Sequence, residues 1–162
     1  MRRKDREITD IDKILKIASD CKFLHMALFD GEYPYIVPLH YGYSYDENES
    51  TFTFYMHGAK EGHKLDLIKE NHNVCIEMET DVEPVSGGDV PCKYGSTYAS
   101  IIGRGTAELV EDVNEKIHGL NLLMLNQTGR RFEMDEKMAA AVAVIKVTIK
   151  DFSAKARVLN SK

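Results

Sequence analysis

The chain has 162 residues, of which 43% are hydrophobic, and its formal net charge is -5 at pH 7. This length supports a substantial core, so we expect one domain over residues 1–162. Acidic and basic residues are interleaved, and without a basic face we expect no nucleic-acid partner. The longest apolar run, residues 138–145, is too short to cross a bilayer, and the charged N-terminus leads into no signal core. We therefore expect no membrane partner.

The cysteine pattern indicates a reducing compartment. Cys21, Cys75 and Cys92 are odd in number, widely spaced and free of any CxxC pair. This pattern argues against a secreted disulfide framework and against a zinc ribbon. We expect a cytoplasmic protein.

The first part of the chain predicts a helix followed by three antiparallel strands. A capping-box pattern beginning at Thr9 and the helical spacing of apolar residues predict a helix over residues 9–19. Residues 23–29 and 35–43 are rich in aromatic and β-branched residues and flank a turn, which indicates a hairpin. After a polar turn, residues 51–56 return as a third strand.

The rest of the chain predicts three more strands and two helices. A short helix follows a glycine-containing loop and ends near Asn71, and residues 74–78 form a fourth strand. Residues 98–110 form a long strand in which two glycines predict a bend or bulge. Asp112 begins a second capped helix, and residues 142–149 form the closing strand. Six strands with peripheral helices predict a mostly β, α+β domain with a six-stranded antiparallel barrel.

One long loop separates the fourth and fifth strands. Residues 81–95 contain two prolines and several glycines, and their length suggests a functional insertion or lid. Cys92 lies in this loop. A lone cysteine without an activating base is more often inert than redox-active, so its role stays open.

The loop at residues 57–64 has the composition of a phosphate site. Its sequence, His-Gly-Ala-Lys-Glu-Gly-His-Lys, combines glycines, basic or titratable side chains and the start of a helix. Backbone N–H groups and positive charge in this arrangement hold a phosphate monoester. For an isolated loop of this kind, a solvated turn is the more common explanation.

The second predicted strand strengthens that interpretation. Pro38 lies within it and has no backbone N–H, so part of the sheet is left unpaired. Unpaired backbone groups can bind a planar, hydrogen-bonding ring.

Two other kinds of site fit the sequence less well. His57, His63, His72 and Cys75 lack the close paired spacing of metal ligands, and we expect no metal. Residues 103–108 begin like a dinucleotide fingerprint, but the final glycine is missing and the segment lies in a strand. We therefore reject a Rossmann site.

Three segments together resemble a known family. Residues 34–41, 54–64 and 98–108, in this order and spacing, are similar to the nitroimidazole-resistance branch of the pyridoxamine-phosphate-oxidase-like flavoproteins. The resemblance extends from about residue 20 to about residue 147. It implies the FMN-binding split-barrel fold and a homodimer with the flavin at the subunit interface.

The resemblance also implies a set of cofactor-binding residues. The flavin ring would contact Ile36, Val37, Pro38, Leu39 and His40, and the phosphate would contact His57, Gly58, Ala59, His63 and Lys64. Tyr98 and Ser100 would approach the flavin across the dimer interface. Ala99 replaces a basic residue common in the branch, and His63 stands where arginine is common. Modest, pH-dependent affinity for FMN is therefore expected.

The resemblance implies an oxidoreductase in which reduced flavin passes hydride equivalents to a small electron-poor acceptor, such as a nitroaromatic. No catalytic residue can be named, since His40 and Tyr98 are candidates only through their expected proximity to the flavin. A flavin-binding or redox-sensing module without turnover is the alternative. Pyridoxamine phosphate oxidation ranks lower, because no arginine-rich segment follows the closing strand. The physiological acceptor, the electron donor and replacement of FMN by haem stay open.

Overall fold

The structure is a computed structural model that describes residues 3–158. The outermost residues of the expected domain therefore lie outside the described part. In chain order the strands and helices are β1 (Glu7–Ile8), α1 (Ile11–Asp20), β2 (Leu24–Asp30), β3 (Tyr33–Leu39), β4 (Tyr41–Asp46), β5 (Thr51–Gly58), α2 (His63–Glu70), β6 (Asn73–Thr80), β7 (Pro84–Val85), β8 (Gly95–Ser96), β9 (Tyr98–Leu109), α3 (Val113–Thr128), α4 (Glu136–Ala140) and β10 (Ala143–Arg157). Short 3-10 helices occupy Lys4–Arg6 and Pro91–Lys93.

One curved antiparallel sheet contains eight of these strands. The hydrogen-bonded order is β3-β2-β6-β9-β10-β5-β4, and β1 pairs with β10 beside this path. β3 and β4 follow each other in the chain, yet they form opposite ends of that order. The sheet must therefore curl until its two edges adjoin, which gives a split β-barrel whose open seam lies between β3 and β4.

The prediction of six strands was too low, although the mostly β class is confirmed. The aromatic run at residues 35–43 is divided at His40 into β3 and β4. In addition, β1, β7 and β8 contain only two residues each, which is too short for any periodicity to show. β7 and β8 pair with each other across the loop predicted at residues 81–95, whose pairing extends to Ser96.

The helices follow the predictions with one correction and one addition. α1 is capped by Asp10, whose carboxylate accepts from the Asp12 backbone N–H at 3.1 Å, so the predicted cap at Thr9 was wrong. The Asp112 carboxylate accepts from the Glu115 N–H at 2.8 Å and begins α3 as predicted. The sequence pattern missed α4. None of the helices in the described range is long and apolar enough to cross a membrane.

The barrel interior is filled by aromatic and aliphatic side chains. Phe52, Phe54 and Met56 are fully buried on the inward face of β5, as period-two alternation requires. The Tyr41 hydroxyl is also fully buried and donates to the Ala18 carbonyl of α1 at 2.7 Å. Burial raises the pKa of Tyr41, so this hydroxyl stays a neutral donor.

The long strand β10 contains a bulge at Lys150. Opposite β9 the register shifts between Ile149 and Asp151, beside Gly105. Before the shift the side chains that face the main core have odd numbers, as at Ile149, and after it even numbers, as at Ala154; Val144 is buried in a separate cluster on the other face. The predicted irregularity is thus present, but it lies in the partner of the glycine-containing strand.

α3 packs unusually close to β4. A Cβ atom added at Gly42 would overlap the backbone of Leu122 and Leu123 in α3. Only a glycine permits this approach, and α3 therefore packs directly against β4, next to the seam.

Replacing Gly42 with Ala should destabilise the protein by about 1–3 kcal/mol, because the added methyl group forces α3 away from the sheet. Urea denaturation would measure the free energy of unfolding. Ser44→Ala, an exposed position on the same strand, is the matched control. Equal midpoints for the two variants would show that α3 does not depend on this close approach.

Candidate functional site

The loop between β5 and α2 places a lysine over a glycine. A Cβ atom added at Gly58 would lie 3.1 Å from both Cε and Nζ of Lys64. The Lys64 side chain therefore lies closer to position 58 than the Cβ of another residue would ordinarily allow. Gly62 precedes α2 with φ +136° and provides no side-chain cap for the first turn. The loop thus presents a cation and the start of a helix together.

His63 joins this loop to the β2–β3 hairpin. Its Nε2 lies 2.7 Å from Oδ2 of Asp30, and its ring meets the Tyr35 ring edge-on with centroids 5.0 Å apart. The hydrogen bond to Asp30 raises the pKa of His63 above its ordinary value. Two segments about thirty residues apart in sequence are thereby brought to one place.

β3 offers one free edge along this place. Within the described residues it pairs only with β2, so its other edge is open to hydrogen bonding. Pro38 lies in this edge strand, where a residue without an N–H is tolerated. Side chains alternate along β3: Ile36 and Pro38 are exposed, while Val37 and Leu39 pack against the core. Any ring bound here would therefore meet mainly backbone and the outward side chains.

His40, the residue between β3 and β4, has a defined tautomer. Its Nδ1 lies 3.0 Å from the Lys22 carbonyl oxygen, which can only accept, so Nδ1 carries the proton. The imidazole is exposed. In the neutral form its Nε2 is then an acceptor that faces away from this bond.

The His57 side chain does not join Lys64 and His63. Successive side chains of β5 point to opposite faces, so His57 lies on the α3 side of the sheet and Gly58 on the other. There His57 lines a small apolar cleft of about 340 Å³ together with Met124 of α3 and Met138 of α4. Of the groups of His57, only the backbone, next to Gly58, is therefore placed for the predicted phosphate contact. Ala59 is exposed in the same loop.

Tyr98 and Ser100 lie far from β3 within one chain. Two strands, β2 and β6, separate β9 from β3, which corresponds to roughly 14 Å at the usual strand spacing. The Tyr98 hydroxyl accepts from Arg6 Nη1 at 3.3 Å, and Ser100 lies opposite Glu79 and Lys155. The predicted cofactor residues thus form two separate groups.

One cluster of titratable groups was not predicted from the sequence. His25 of β2 and Glu77 of β6 are direct partners across the strands, and His25 Nδ1 lies 3.3 Å from Glu77 Oε2. Glu79 brings a second carboxylate, and one ligand atom from each of the three lies within 4.8 Å of the others. Glu77 and Glu79 at alternate positions were the signal in the sequence, but only the strand register adds His25.

Two of the three histidines considered as metal ligands have other partners. His63 is bound to Asp30, and His72 Nδ1 lies 3.0 Å from the Ala107 carbonyl oxygen. Within residues 3–158, His25, Glu77 and Glu79 are the group with the composition and closeness of metal ligands.

Glu77 should make stability depend on pH. Burial, and then the neighbouring Glu79 carboxylate, raise the pKa of Glu77 from 4.5 to about 7. Between these values the folded protein holds a proton that the unfolded chain has lost, so this group stabilises at low pH and its contribution falls as pH rises from about 4.5 to about 7. Glu77→Gln should remove that fall, and its melting temperature relative to wild type should rise across the window. Glu32→Gln on the exposed hairpin turn is the control. Parallel melting curves for wild type and Glu77→Gln at all pH values would contradict the assignment.

The curled antiparallel sheet with an open seam defines the split β-barrel class of proteins. Residues 10–156 match the family model described as pyridoxamine 5'-phosphate oxidase. The chain belongs to that family, as the sequence resemblance implied.

Solved structures agree with this assignment. A candidate 5-nitroimidazole antibiotic resistance protein from Bacteroides thetaiotaomicron is 30% identical, with a TM-score of 0.77 over 93% of this chain and 86% of that one. A flavocytochrome from Azotobacter vinelandii shares the fold at 18% identity, with a TM-score of 0.76 over 100% of this chain and 75% of that one. An FAD- and haem-binding protein from Mycobacterium smegmatis does so at 15% identity, with a TM-score of 0.76 over 97% and 76%. No curated protein is significantly similar to the chain.

Proposed function

We propose that this protein binds FMN and is an oxidoreductase that reduces a small electron-poor acceptor, such as a nitroaromatic. The observation that carries the proposal is the His63–Asp30 contact, which holds the Lys64 loop at the β2–β3 hairpin, where the His63 ring also meets Tyr35 of β3. The family supports this proposal. Two structural relatives are named as flavin proteins, and a third is named for resistance to a nitroimidazole. The cytoplasmic location expected from the cysteine pattern is part of the same proposal.

The loop has the groups that a phosphate monoester requires. Lys64 supplies a positive charge directly above the Gly58 backbone, where the absence of a Cβ leaves room. His63 supplies a second charge when protonated, and its raised pKa extends that state toward neutral pH. Because Asp30 already accepts from His63, a phosphate must share this imidazole with a carboxylate. FMN binding should therefore be weaker at high pH.

The free edge of β3 suits the flavin ring. Backbone N–H and C=O groups along this edge can pair with the polar edge of an isoalloxazine, and Ile36 and Pro38 give apolar surface beside it. When bound, the flavin supplies hydride chemistry, while the protein supplies placement and electrostatics. Steady-state oxidation of reduced nicotinamide with a nitro acceptor distinguishes an enzyme from a flavin-binding module without turnover.

Replacing Lys64 with Ala should weaken FMN binding by roughly 1.5–3 kcal/mol, the range for a hydrogen bond to a charged group. Riboflavin, which has no phosphate, should bind wild type and variant equally. Flavin fluorescence quenching would measure both affinities. Lys60→Ala, an exposed lysine in the same loop, is the matched control. If Lys64→Ala weakens both flavins equally, the loop does not bind the phosphate.

We also propose a homodimer in which each flavin lies between two chains. Ser100 and Tyr98 lie too far from β3 to reach a ring bound there in the same chain, so a second chain would have to bring them. The outer face of the sheet is suited to association, since Phe29, Ile36 and Ile102 are 62%, 58% and 42% exposed.

FMN binding and dimerisation should then be linked, so that added FMN raises the dimer fraction. Sedimentation velocity over a range of protein concentrations, with and without FMN, would measure this. Ile102→Lys should reduce dimerisation and FMN affinity together, because it places a charge in the apolar face. A monomer that binds FMN with full stoichiometry, independently of protein concentration, would contradict the arrangement.

A further inference from the structure

A second, larger groove opens in one chain on the outer face of β2, β6 and β9, the face that we also assign to the homodimer, so a ligand held there would lie between the two chains. Its volume is about 760 Å³, within the range of roughly 300–1,000 Å³ that small-molecule sites occupy. Ala27, Cys75 and Arg104 form its floor in one row, since Ala27 pairs with Cys75 and Cys75 with Arg104 across the strands. Phe29 and Tyr33, which are exposed aromatic residues of the hairpin, also line it.

Arg104 is the cation of this groove. It makes no salt bridge or side-chain hydrogen bond with any residue between 3 and 158, although Asp151 is its register partner on β10. Thr106 and Asn73 lie one row further along the same face and add a hydroxyl and an amide. Arg104 therefore has its guanidinium fork available for a planar anionic group.

The acidic groups of the groove lie at its other end. Asp30 is already bound to His63, and Glu32 lies in the exposed hairpin turn. Between the two ends the floor consists of the small side chains of Ala27 and Cys75. The groove thus has a cationic end, an apolar middle and aromatic side chains beside it, which suits a flat aromatic ligand with one negative group.

We infer that the groove binds a small aromatic anion, with its acidic group on Arg104 and its ring over Ala27 and Cys75. Ala27 pairs directly with Ile36 of β3, so this ring lies beside the strand to which we assign the flavin. The inference rests on the proposed function and deepens it, because it names the acceptor class as an anionic nitroaromatic. Arg104 is here a specificity residue that positions the acceptor.

Cys75 provides a test that needs neither flavin nor turnover. Cys21 is buried and Cys92 is exposed, so in a Cys92→Ser background the half-buried Cys75 is the thiol left for labelling. The probes are 4-nitrobenzoate and its neutral counterpart 4-nitrobenzyl alcohol. We expect 4-nitrobenzoate to slow maleimide labelling of Cys75 at concentrations where the alcohol does not.

Arg104→Gln should raise the Kd of 4-nitrobenzoate, measured by calorimetry, by roughly tenfold or more, the loss of a charged hydrogen bond. The Kd of the neutral probe and the affinity for FMN should stay unchanged. Arg130→Gln is the matched control, because the Arg130 guanidinium lies over the Phe132 ring, 5.3 Å from its centroid, and neither residue lines the groove.

Three results would overturn the inference. The first is equal protection of Cys75 by both probes, and the second is an unchanged Kd for 4-nitrobenzoate in Arg104→Gln. The third is a loss of FMN affinity in Arg104→Gln as large as that in Lys64→Ala, which would assign the groove to the flavin. Failure of the proposed function has a different signature, since FMN would then not bind to wild type while the labelling result could still hold.

Discussion

The chain passes from one edge of the sheet to the other at a single residue, His40, because β3 and β4 are consecutive in sequence and opposite in the hydrogen-bonded order. This seam is held by side chains. The amides of Asn126 and Gln127, near the end of α3, donate to the Tyr41 carbonyl, each at 3.1 Å, and Gln127 also donates to the Lys22 carbonyl at 3.0 Å. The backbone groups that strand pairing would satisfy are partly satisfied by a helix. These bonds lie on the β4 side of the seam, while β3 on the other side pairs only with β2 among the described residues and keeps a free edge.

The candidate site depends on that free edge and on what is brought to it. The Lys64 loop follows β5, which is separated from β3 by most of the sheet in one direction and by β4 and the seam in the other. The curl of the sheet places the loop near the β2–β3 hairpin, and the His63–Asp30 hydrogen bond then joins the two segments directly. The topology of the sheet thus brings the loop close to the hairpin, and the His63–Asp30 hydrogen bond fixes their relative position. Neither the loop nor the hairpin would indicate a binding site by its residue types alone.

Local patterns in the sequence were enough for the helices α1 to α3 and for five of the longer strands, since capping residues and alternation act within a few positions. The break at His40 could not be read, because aromatic and β-branched residues continue on both sides of it. The two-residue strands are defined only by their hydrogen bonds to partner strands, which the sequence does not show. The same limit applies to the site: the glycine and lysine of the loop are visible in the sequence, whereas the cluster at His25 and the row ending at Arg104 require the register between strands.

The bulge at Lys150 also explains why the sequence pattern predicts a closing strand that ends at residue 149. The alternation of apolar residues reverses there, and the reversal lets the second half of β10 bury Ala154 while Lys155 points outward. The bulge therefore leaves this strand one residue longer than regular pairing needs. Loss of one residue there would place Asp151 directly after Ile149 and still opposite Arg104, so the faces beyond it would stay as they are. Loss of a second residue would turn everything beyond it inside out and direct Lys155 and Arg157 toward the core, so this strand can shorten by one residue but not by two.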